Sequence, residues 1–287
     1  MKYDFGPRFT VKAMTDYTMS AIDEQQIFSG LIMQDYKYLT QGRTDLGQLP
    51  GYSINMELEY RDPLKGWFIK GKGRYSAGKD FEQTRYFLND DYIVNVLSNN
   101  ISNYVIGSSS TEISKTFFKS ASKLTGTFDF SRMNSTISQN NIQNEYTGSY
   151  YVVGIQYKGN ITRWLGINYS GSYEYSTYVI GKSESIIANH STDHNITFTL
   201  LPFDKLDIDL SCDFYLNKYG TDTHFSAYFI NASAWYYINP DIQVFIHAKN
   251  LTDQRNFSYT SLQPMQITHF EYKIRPLNIL LGVQVKF

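Results

Sequence analysis

Apolar and polar side chains alternate along much of the chain with the two-residue period of a β-strand. The segment 206–217 is the clearest case: its even positions are apolar, and its odd positions carry Asp207, Asp209 and Asp213 among other polar residues. The last strand alternates in the same way from Ile279 and ends on the aromatic Phe287. Each such strand has one apolar and one polar face, so the pattern predicts an all-β fold.

Short turns alternate with longer polar connections along this pattern. Strands are expected at 8–20 and 25–39 around an Asp23-Glu24 turn, and at 104–118 and 123–133. The stretch 80–103 is open between a long loop and a short helix. The short turns are expected near 62–66, 119–122, 159–163, 202–204 and 239–241, and the longer connections near 40–50, 80–103, 135–145, 181–190 and 252–268. An outer-membrane barrel has short periplasmic turns and long external loops. We therefore predict an antiparallel transmembrane β-barrel meander of about 13 strands, forming one segment over 1–287.

A hairpin around 52–75 places charges on its polar side. If Tyr60 faces Trp67 across the turn, Glu57 faces Lys70. The charged candidates for a lumen wall are Glu57, Glu59, Lys70, Lys72 and Arg74, with Asp207, Asp209 and Asp213 further along. The same hairpin also suits the solvated outer face of a soluble sheet, and its pattern does not separate the two.

Composition favours the membrane interpretation. The chain of 287 residues holds 25 tyrosines and 19 phenylalanines, an excess of β-favouring aromatics that suits the two interfaces of a barrel. A mean hydropathy of −0.37 and the lack of a long apolar run exclude a transmembrane helix. They do not exclude a barrel, because a barrel strand exposes only every second residue to lipid.

Charge and cysteine usage remove several other classes. A net charge of −1 with scattered charges leaves no basic stripe, so we set nucleic-acid binding aside. Cys212 is the single cysteine, which excludes an internal disulfide or thiolate cluster. The first residues contain no apolar export signal. We therefore expect a mature or partial chain whose signal lies upstream.

Candidate catalytic chemistry is sparse. The aspartates at 207, 209 and 213 resemble a cation-binding or acid/base array. A spacing of two residues is also typical of the polar face of any barrel strand, and we interpret the three aspartates in that way. The five histidines lack zinc-helix spacing. Asp222, His224 and Ser226 lie close in sequence at a loop edge and do not indicate a hydrolase. We expect no enzyme activity, cofactor or metal.

Several motifs near the end resemble TonB-dependent outer-membrane receptors. The stretch 234–244 is an aromatic strand, a short Asn239-Pro240-Asp241 turn and a second strand, and Asn250-Leu251-Thr252-Asp253 follows it. Ile274-Arg275-Pro276 and a last strand ending on Phe287 complete the signature. By resemblance, Phe287 is the signal that the barrel-assembly machinery reads. The resemblance is to the starch-utilisation-type, carboxypeptidase-like regulatory-domain group and implies a barrel of about 22 strands with a plugged lumen. The chain would then be the C-terminal part of that barrel, without the plug.

The resemblance also implies a function. The expected role is part of an active-transport receptor for a glycan, siderophore or peptide, in the outer membrane of a Gram-negative bacterium. The expected partners are outer-membrane lipid and the barrel-assembly machinery, with the TonB system and a surface lipoprotein where the full receptor is present. Loop aromatics that could contact a ligand are Tyr86, Tyr92 and Tyr259. The alternative is a free-standing passive pore or structural barrel, which predicts a wall that closes on itself.

Overall fold

The computed structural model describes residues 2–21, 28, 30–36, 38–42, 47–81, 85–88, 93–96, 101–139, 142–181, 187–220, 223–263 and 266–286. Nearly all of these residues lie in strands. The strands are β1 (Lys2–Phe5), β2 (Phe9–Ala21), β3 (Leu31–Asp35), β4 (Tyr38–Gln41), β5 (Gln48–Asp62), β6 (Trp67–Phe81), β7 (Arg85–Leu88), β8 (Ile93–Val96), β9 (Ile101–Phe117), β10 (Ser122–Gln139), β11 (Ile142–Asn160), β12 (Leu165–Ile180), β13 (Ile187–Phe203), β14 (Leu206–Tyr219), β15 (Thr223–Asn239), β16 (Ile242–Lys249), β17 (Asn256–Gln263), β18 (Gln266–Lys273) and β19 (Asn278–Val285).

Thirteen of these strands form one antiparallel sheet, which we call the wall. Each strand of the wall pairs with the next in the order β1, β2, β5, β6, β9, β10, β11, β12, β13, β14, β15, β16, β19. The prediction of an all-β antiparallel meander is confirmed. Among the described residues no helix is long and apolar enough to cross a membrane.

The short turns lie where the sequence predicts them, and local chemistry closes each one. Between β15 and β16, the Asn239 side-chain Oδ1 accepts hydrogen bonds from the backbone N–H groups of Asp241 (3.0 Å) and Ile242 (2.8 Å). Between β5 and β6, Gly66 has φ 71°, a left-handed conformation that glycine adopts without strain. A single 3₁₀ turn at Phe118–Ser120 joins β9 to β10. Asn239 and Gly66 therefore mark their turns for identifiable physical reasons.

The register predicted for the 52–75 hairpin is wrong by two residues. Tyr60 pairs with Ile69, Glu57 pairs with Lys72, and Trp67 pairs with Asp62. The turn is tighter than expected because the Asp62 carboxylate accepts a hydrogen bond from the Lys65 N–H at 3.1 Å. β5 consequently extends to Asp62, two residues further into the turn than its alternation alone indicates.

The longer connections hold more strand than predicted. Two short strands, β7 and β8, lie within 80–103, where a loop or a helix was expected. They pair with β10 and β4, so tertiary pairing stabilises segments too short to hold a conformation alone. In the same way β3 and β4 replace the single strand expected over 25–39, and β17 and β18 occupy 252–268. The Asp23-Glu24 turn lies outside the described residues.

On β5 the two faces of the wall have the reverse of the polarity found in a soluble sheet. On β5, Ile54, Met56 and Leu58 are 44%, 52% and 45% exposed. The intervening Glu57 and Glu59 side chains are only 22% and 12% exposed. We call the face that carries Met56 and Leu210 the apolar face, and the face that carries Glu57 and Asp213 the charged face. A sheet that exposes its apolar face and shelters its charges suits lipid on one side and a polar interior on the other.

The wall has two edges. β19 pairs with β16 on one side, and β2 pairs with β5 and with the short β1. Among the described residues no strand register joins β19 to β1 or β2. An unpaired strand edge in lipid leaves backbone N–H and C=O groups without partners.

Candidate functional site: the charged face

A continuous row of polar side chains crosses the charged face near its middle. In this row Lys12 is opposite Glu57, Glu57 is opposite Lys72, and Lys72 is opposite Ser110, which in turn is opposite Asp129. The Glu57 carboxylate forms an ion pair with Lys12, whose Nζ lies 2.8 Å from a carboxylate oxygen. It forms a second, diagonal ion pair with Lys70, whose Nζ lies 3.5 Å away. These partly exposed pairs each contribute about 0.2–1 kcal/mol, so they set register and polarity more than stability.

The five charged residues predicted on the 52–75 hairpin share this face. Glu57 and Lys70 form an ion pair, Glu59 pairs with Arg61, and Lys72 and Arg74 lie beside one another on β6. Within the described part of the chain, neither Lys72 nor Arg74 makes an ion pair. Both therefore remain free to meet a negatively charged group.

A cavity of about 700 Å³ lies against this part of the face. Lys72 and Arg74 line it together with the hydroxyl side chains Ser108, Ser110 and Ser131. The volume is within the range of small-molecule sites, about 300–1,000 Å³. The full lining holds four basic residues, including Lys72 and Arg74, and the two carboxylates of Glu57 and Asp129. Cations beside several hydroxyl donors can bind an oxyanion or a polar chelate.

The three predicted aspartates lie on the same face but on β14, away from that cavity. The Asp207 carboxylate accepts a hydrogen bond from the Tyr237 hydroxyl at 3.0 Å, and that of Asp209 accepts one from Thr199 Oγ1 at 2.7 Å. Asp213 accepts from the Asn195 side chain. Neutral donors hold each carboxylate, and no group of three or more metal-ligating side chains converges anywhere in the described ranges.

The Asn250-Leu251-Thr252-Asp253 motif forms a tight corner after β16. Asn250 has φ 57° and is 6% exposed. Its Oδ1 accepts from Gln254 N (3.0 Å), and its Nδ2 donates to the carbonyls of Gln254 and Arg275 (both 2.9 Å). The Asn250 N–H donates to Asn231 Oδ1 at 2.9 Å. One side chain thus ties the corner to the Arg275-Pro276 step that precedes the last strand.

Asp253 completes the corner. Its carboxylate accepts from the Arg255 guanidinium at 2.7 Å and from the Leu277 N–H at 3.1 Å. The Arg255 side chain, and next the Leu277 N–H, lower the pKa of this carboxyl below its usual value. Its contribution to stability is therefore present above the ordinary aspartate pKa and is lost as pH falls through the lowered value.

The β17–β18 hairpin folds against the charged face. Phe257 packs edge-on to Tyr215 and Phe225, with ring centroids 5.6 Å away in each case, and lies 6.4 Å from Phe229. The Thr260 N–H donates to Asn217 Oδ1 at 3.2 Å. This contact could not be predicted from the sequence, because Phe257 and its partners lie in three separate strands.

The three tyrosines predicted as loop contacts for a ligand lie in different parts of the chain. Tyr259 lies on β17 and stacks on Phe270 at 4.8 Å. Tyr86 lies on β7, where its backbone pairs with Asn95. Tyr92 and Phe287 lie outside the described residues.

The sequence matches no known family profile and no characterised protein. In fold, the chain is similar to the ferric yersiniabactin uptake receptor FyuA from Yersinia pestis, with a TM-score of 0.50 and 11% identity. That similarity covers 100% of this chain and 49% of the receptor, so the chain spans about half its length. A weaker similarity, with a TM-score of 0.30 and 9% identity, is to the ferric-catecholate import receptor Fiu from E. coli K12; it covers 99% of this chain and 61% of that one.

The chain shares a β-barrel wall fold with the Yersinia protein. At 11% identity the similarity to the Yersinia receptor concerns the fold alone. What such a wall does in this protein must be argued from its own side chains.

Proposed function

We propose that the chain forms part of the wall of an outer-membrane receptor that actively imports a nutrient in a Gram-negative bacterium. The observation that carries the proposal is the reversed polarity of the wall, with Met56 52% exposed beside a Glu57 side chain only 22% exposed. A sheet with lipid outside and a polar interior gains from that arrangement. The fold shared with an uptake receptor supports the same proposal.

In this proposal the charged face lines the lumen. Glu57, Glu59, Lys70, Lys72 and Arg74 form one sector of the lumen wall, and Asp207, Asp209 and Asp213 form another. Lipid covers the apolar face, and the barrel-assembly machinery inserts the strands. A plug domain, the TonB system and a surface lipoprotein act with the chain in the full receptor, and the chain itself is a single wall segment over 1–287. The motif residues from Asn250 to Pro276 support a place in the starch-utilisation-type group.

Uptake is the direct test of this role. A strain lacking the chain, with and without a restored copy, is given radiolabelled ferric siderophores, neutral oligosaccharides and tripeptides. Each assay is repeated with an uncoupler that collapses the proton-motive force. We expect one ligand class whose uptake is lost both on deletion and on uncoupling. Uptake that depends on the chain but resists the uncoupler would identify a passive pore instead.

A cross-linking experiment distinguishes the receptor wall from a self-closing barrel. In a Cys212→Ser background, cysteines replace Tyr3 on β1 and Val283 on β19, the two edge strands of the wall. We expect no cross-link within one chain, since no register joins these strands in the described part of the wall. The matched control is Ala232→Cys with Ala248→Cys, which are directly opposite on β15 and β16 and must cross-link. An efficient Tyr3–Val283 cross-link would show that the wall closes alone, in favour of the passive pore.

A further inference from the structure

A second cavity lies between the wall and the β17–β18 hairpin. Its volume is about 320 Å³, at the lower end of the range for small-ligand sites, about 300–1,000 Å³. The wall contributes part of its lining and the hairpin contributes the rest. The wall side of the lining includes Tyr150, Glu174, Tyr178, Asn189 and Asn217, and the hairpin side includes Tyr259. A ligand held there would touch strands β11 to β14 and the hairpin together.

The aromatic part of the lining is held in place by neighbouring rings. Tyr259 stacks on Phe270 at 4.8 Å with the planes 22° apart, and Tyr178 stacks on Tyr146 at 5.9 Å. A ring that is already ordered loses little entropy when a ligand packs on it. Tyrosine also offers an apolar ring and a polar hydroxyl on one side chain.

The amide part is fixed as well. Asn217 accepts the Thr260 N–H through Oδ1 and donates through Nδ2 to Asn189 Oδ1 at 3.2 Å. Within the described residues the Nδ2 group of Asn189 has no protein acceptor, so both of its hydrogens are available to the cavity. The Asn217 bridge is also the contact that joins the hairpin to the wall at this cavity.

The charge of the lining limits the ligand. Glu174 is the only formally charged residue among the described lining residues, and it accepts hydrogen bonds without donating any when ionised. Without a cation, the cavity cannot compensate a negatively charged ligand, and Glu174 repels one. Tyrosine rings, an amide donor and a carboxylate acceptor together match a molecule with an apolar ring face and a rim of neutral hydroxyl groups.

We propose that this cavity binds a neutral carbohydrate, one or two sugar rings in size. A pyranose packs its C–H face on the Tyr259 ring, donates hydroxyl hydrogens to Glu174 and accepts from Asn189. The hairpin covers the bound sugar while Asn217 holds it to the wall. This inference rests on the proposed function, since it names the substrate class of that receptor.

The test is a binding measurement on the full chain, extracted from membranes into a detergent that contains no sugar. Isothermal titration calorimetry uses maltose, cellobiose, N,N′-diacetylchitobiose and xylobiose as probes, with a ferric tri-catecholate chelate and a tripeptide for comparison. We expect at least one disaccharide to bind. Tyr259→Ala should weaken it about tenfold or more, equivalent to about 1.4 kcal/mol, while Tyr259→Phe should retain it. Tyr36→Ala, the same change at an exposed residue outside the lining, should leave binding unchanged.

A variant on the wall keeps the inference testable if the hairpin variant loses its fold. Glu174→Gln preserves the shape of the side chain and removes its charge. Wild type should exclude digalacturonate, and Glu174→Gln should bind it at least about tenfold more tightly than wild type does. The inference is overturned if none of the four disaccharides binds the folded chain, or if the chelate or the tripeptide binds instead. Because the titration involves no transport, its failure leaves the uptake result intact, and failed uptake does not affect the titration.

Discussion

Replacing Asn250 by alanine is expected to lower the stability of the wall by about 2–5 kcal/mol, the sum of two costs. The first cost is backbone strain, because φ 57° suits asparagine and is unfavourable for alanine. The second is the loss of side-chain hydrogen bonds at a position only 6% exposed. The carbonyls of Gln254 and Arg275 lose their donor, and the Gln254 N–H loses its acceptor. A buried polar group left without its partner costs about 1–3 kcal/mol.

The measurement is thermal unfolding in detergent, followed by the shift between folded and unfolded bands on a gel run without boiling. A shift on the order of 10 °C is expected for Asn250→Ala. Asn250→Gly tolerates the positive φ but lacks the side chain, so it should fall between alanine and wild type. Asn134→Ala is the matched control, since Asn134 makes one exposed hydrogen bond with Thr147 at 3.0 Å. If Asn250→Ala unfolds at the wild-type temperature, the corner does not hold the last strand in place.

The positions of strands could be predicted from the sequence where neighbouring residues determine them, through alternating side chains or turn hydrogen bonds. β14 follows the alternation of 206–217 because side chains on a strand point to opposite faces in turn. The turn at 239–241 could be predicted because the Asn239 side chain binds the backbone just after it. Asn250 could be singled out by its motif, although the four segments that it joins were not visible in the sequence.

The rest depends on pairing between distant segments, which leaves no periodic signal. The hairpin of β17 and β18 is polar and aromatic, and its composition resembled a loop. What orders it is the contact of Phe257 with Tyr215 and Phe225, and that of Thr260 with Asn217, 43 residues away. Tyr259 could be named only as a candidate for ligand contact from its residue type, whereas the cavity beside Glu174 and Asn189 exists only once the hairpin folds back.

The assignment of the apolar face to lipid makes the second large prediction. Leu210 lies at the centre of the apolar run on β14, 39% exposed, opposite Phe198 and Ala232. Leu210→Arg would place a cation at the middle of the bilayer, at a cost of about 2–4 kcal/mol. At about 1.4 kcal/mol for each factor of ten, the folded-to-unfolded ratio should fall by roughly 30-fold to 1,000-fold. The measurement is urea-induced unfolding in lipid vesicles.

The adjacent residue supplies the matched control, because it lies on the same strand and points to the other face. Ser211 is opposite Thr197 and Asn231, and two aspartates, Asp209 and Asp213, flank it on the charged face. Ser211→Arg should change stability by well under about 1 kcal/mol, since the new cation meets a polar interior and nearby carboxylates. A soluble sheet predicts the opposite order: an arginine at 210 would extend into water at little cost, and the one at 211 would disturb the sheltered face. The order of the two variants therefore decides which face of the wall meets lipid, independently of any transported ligand.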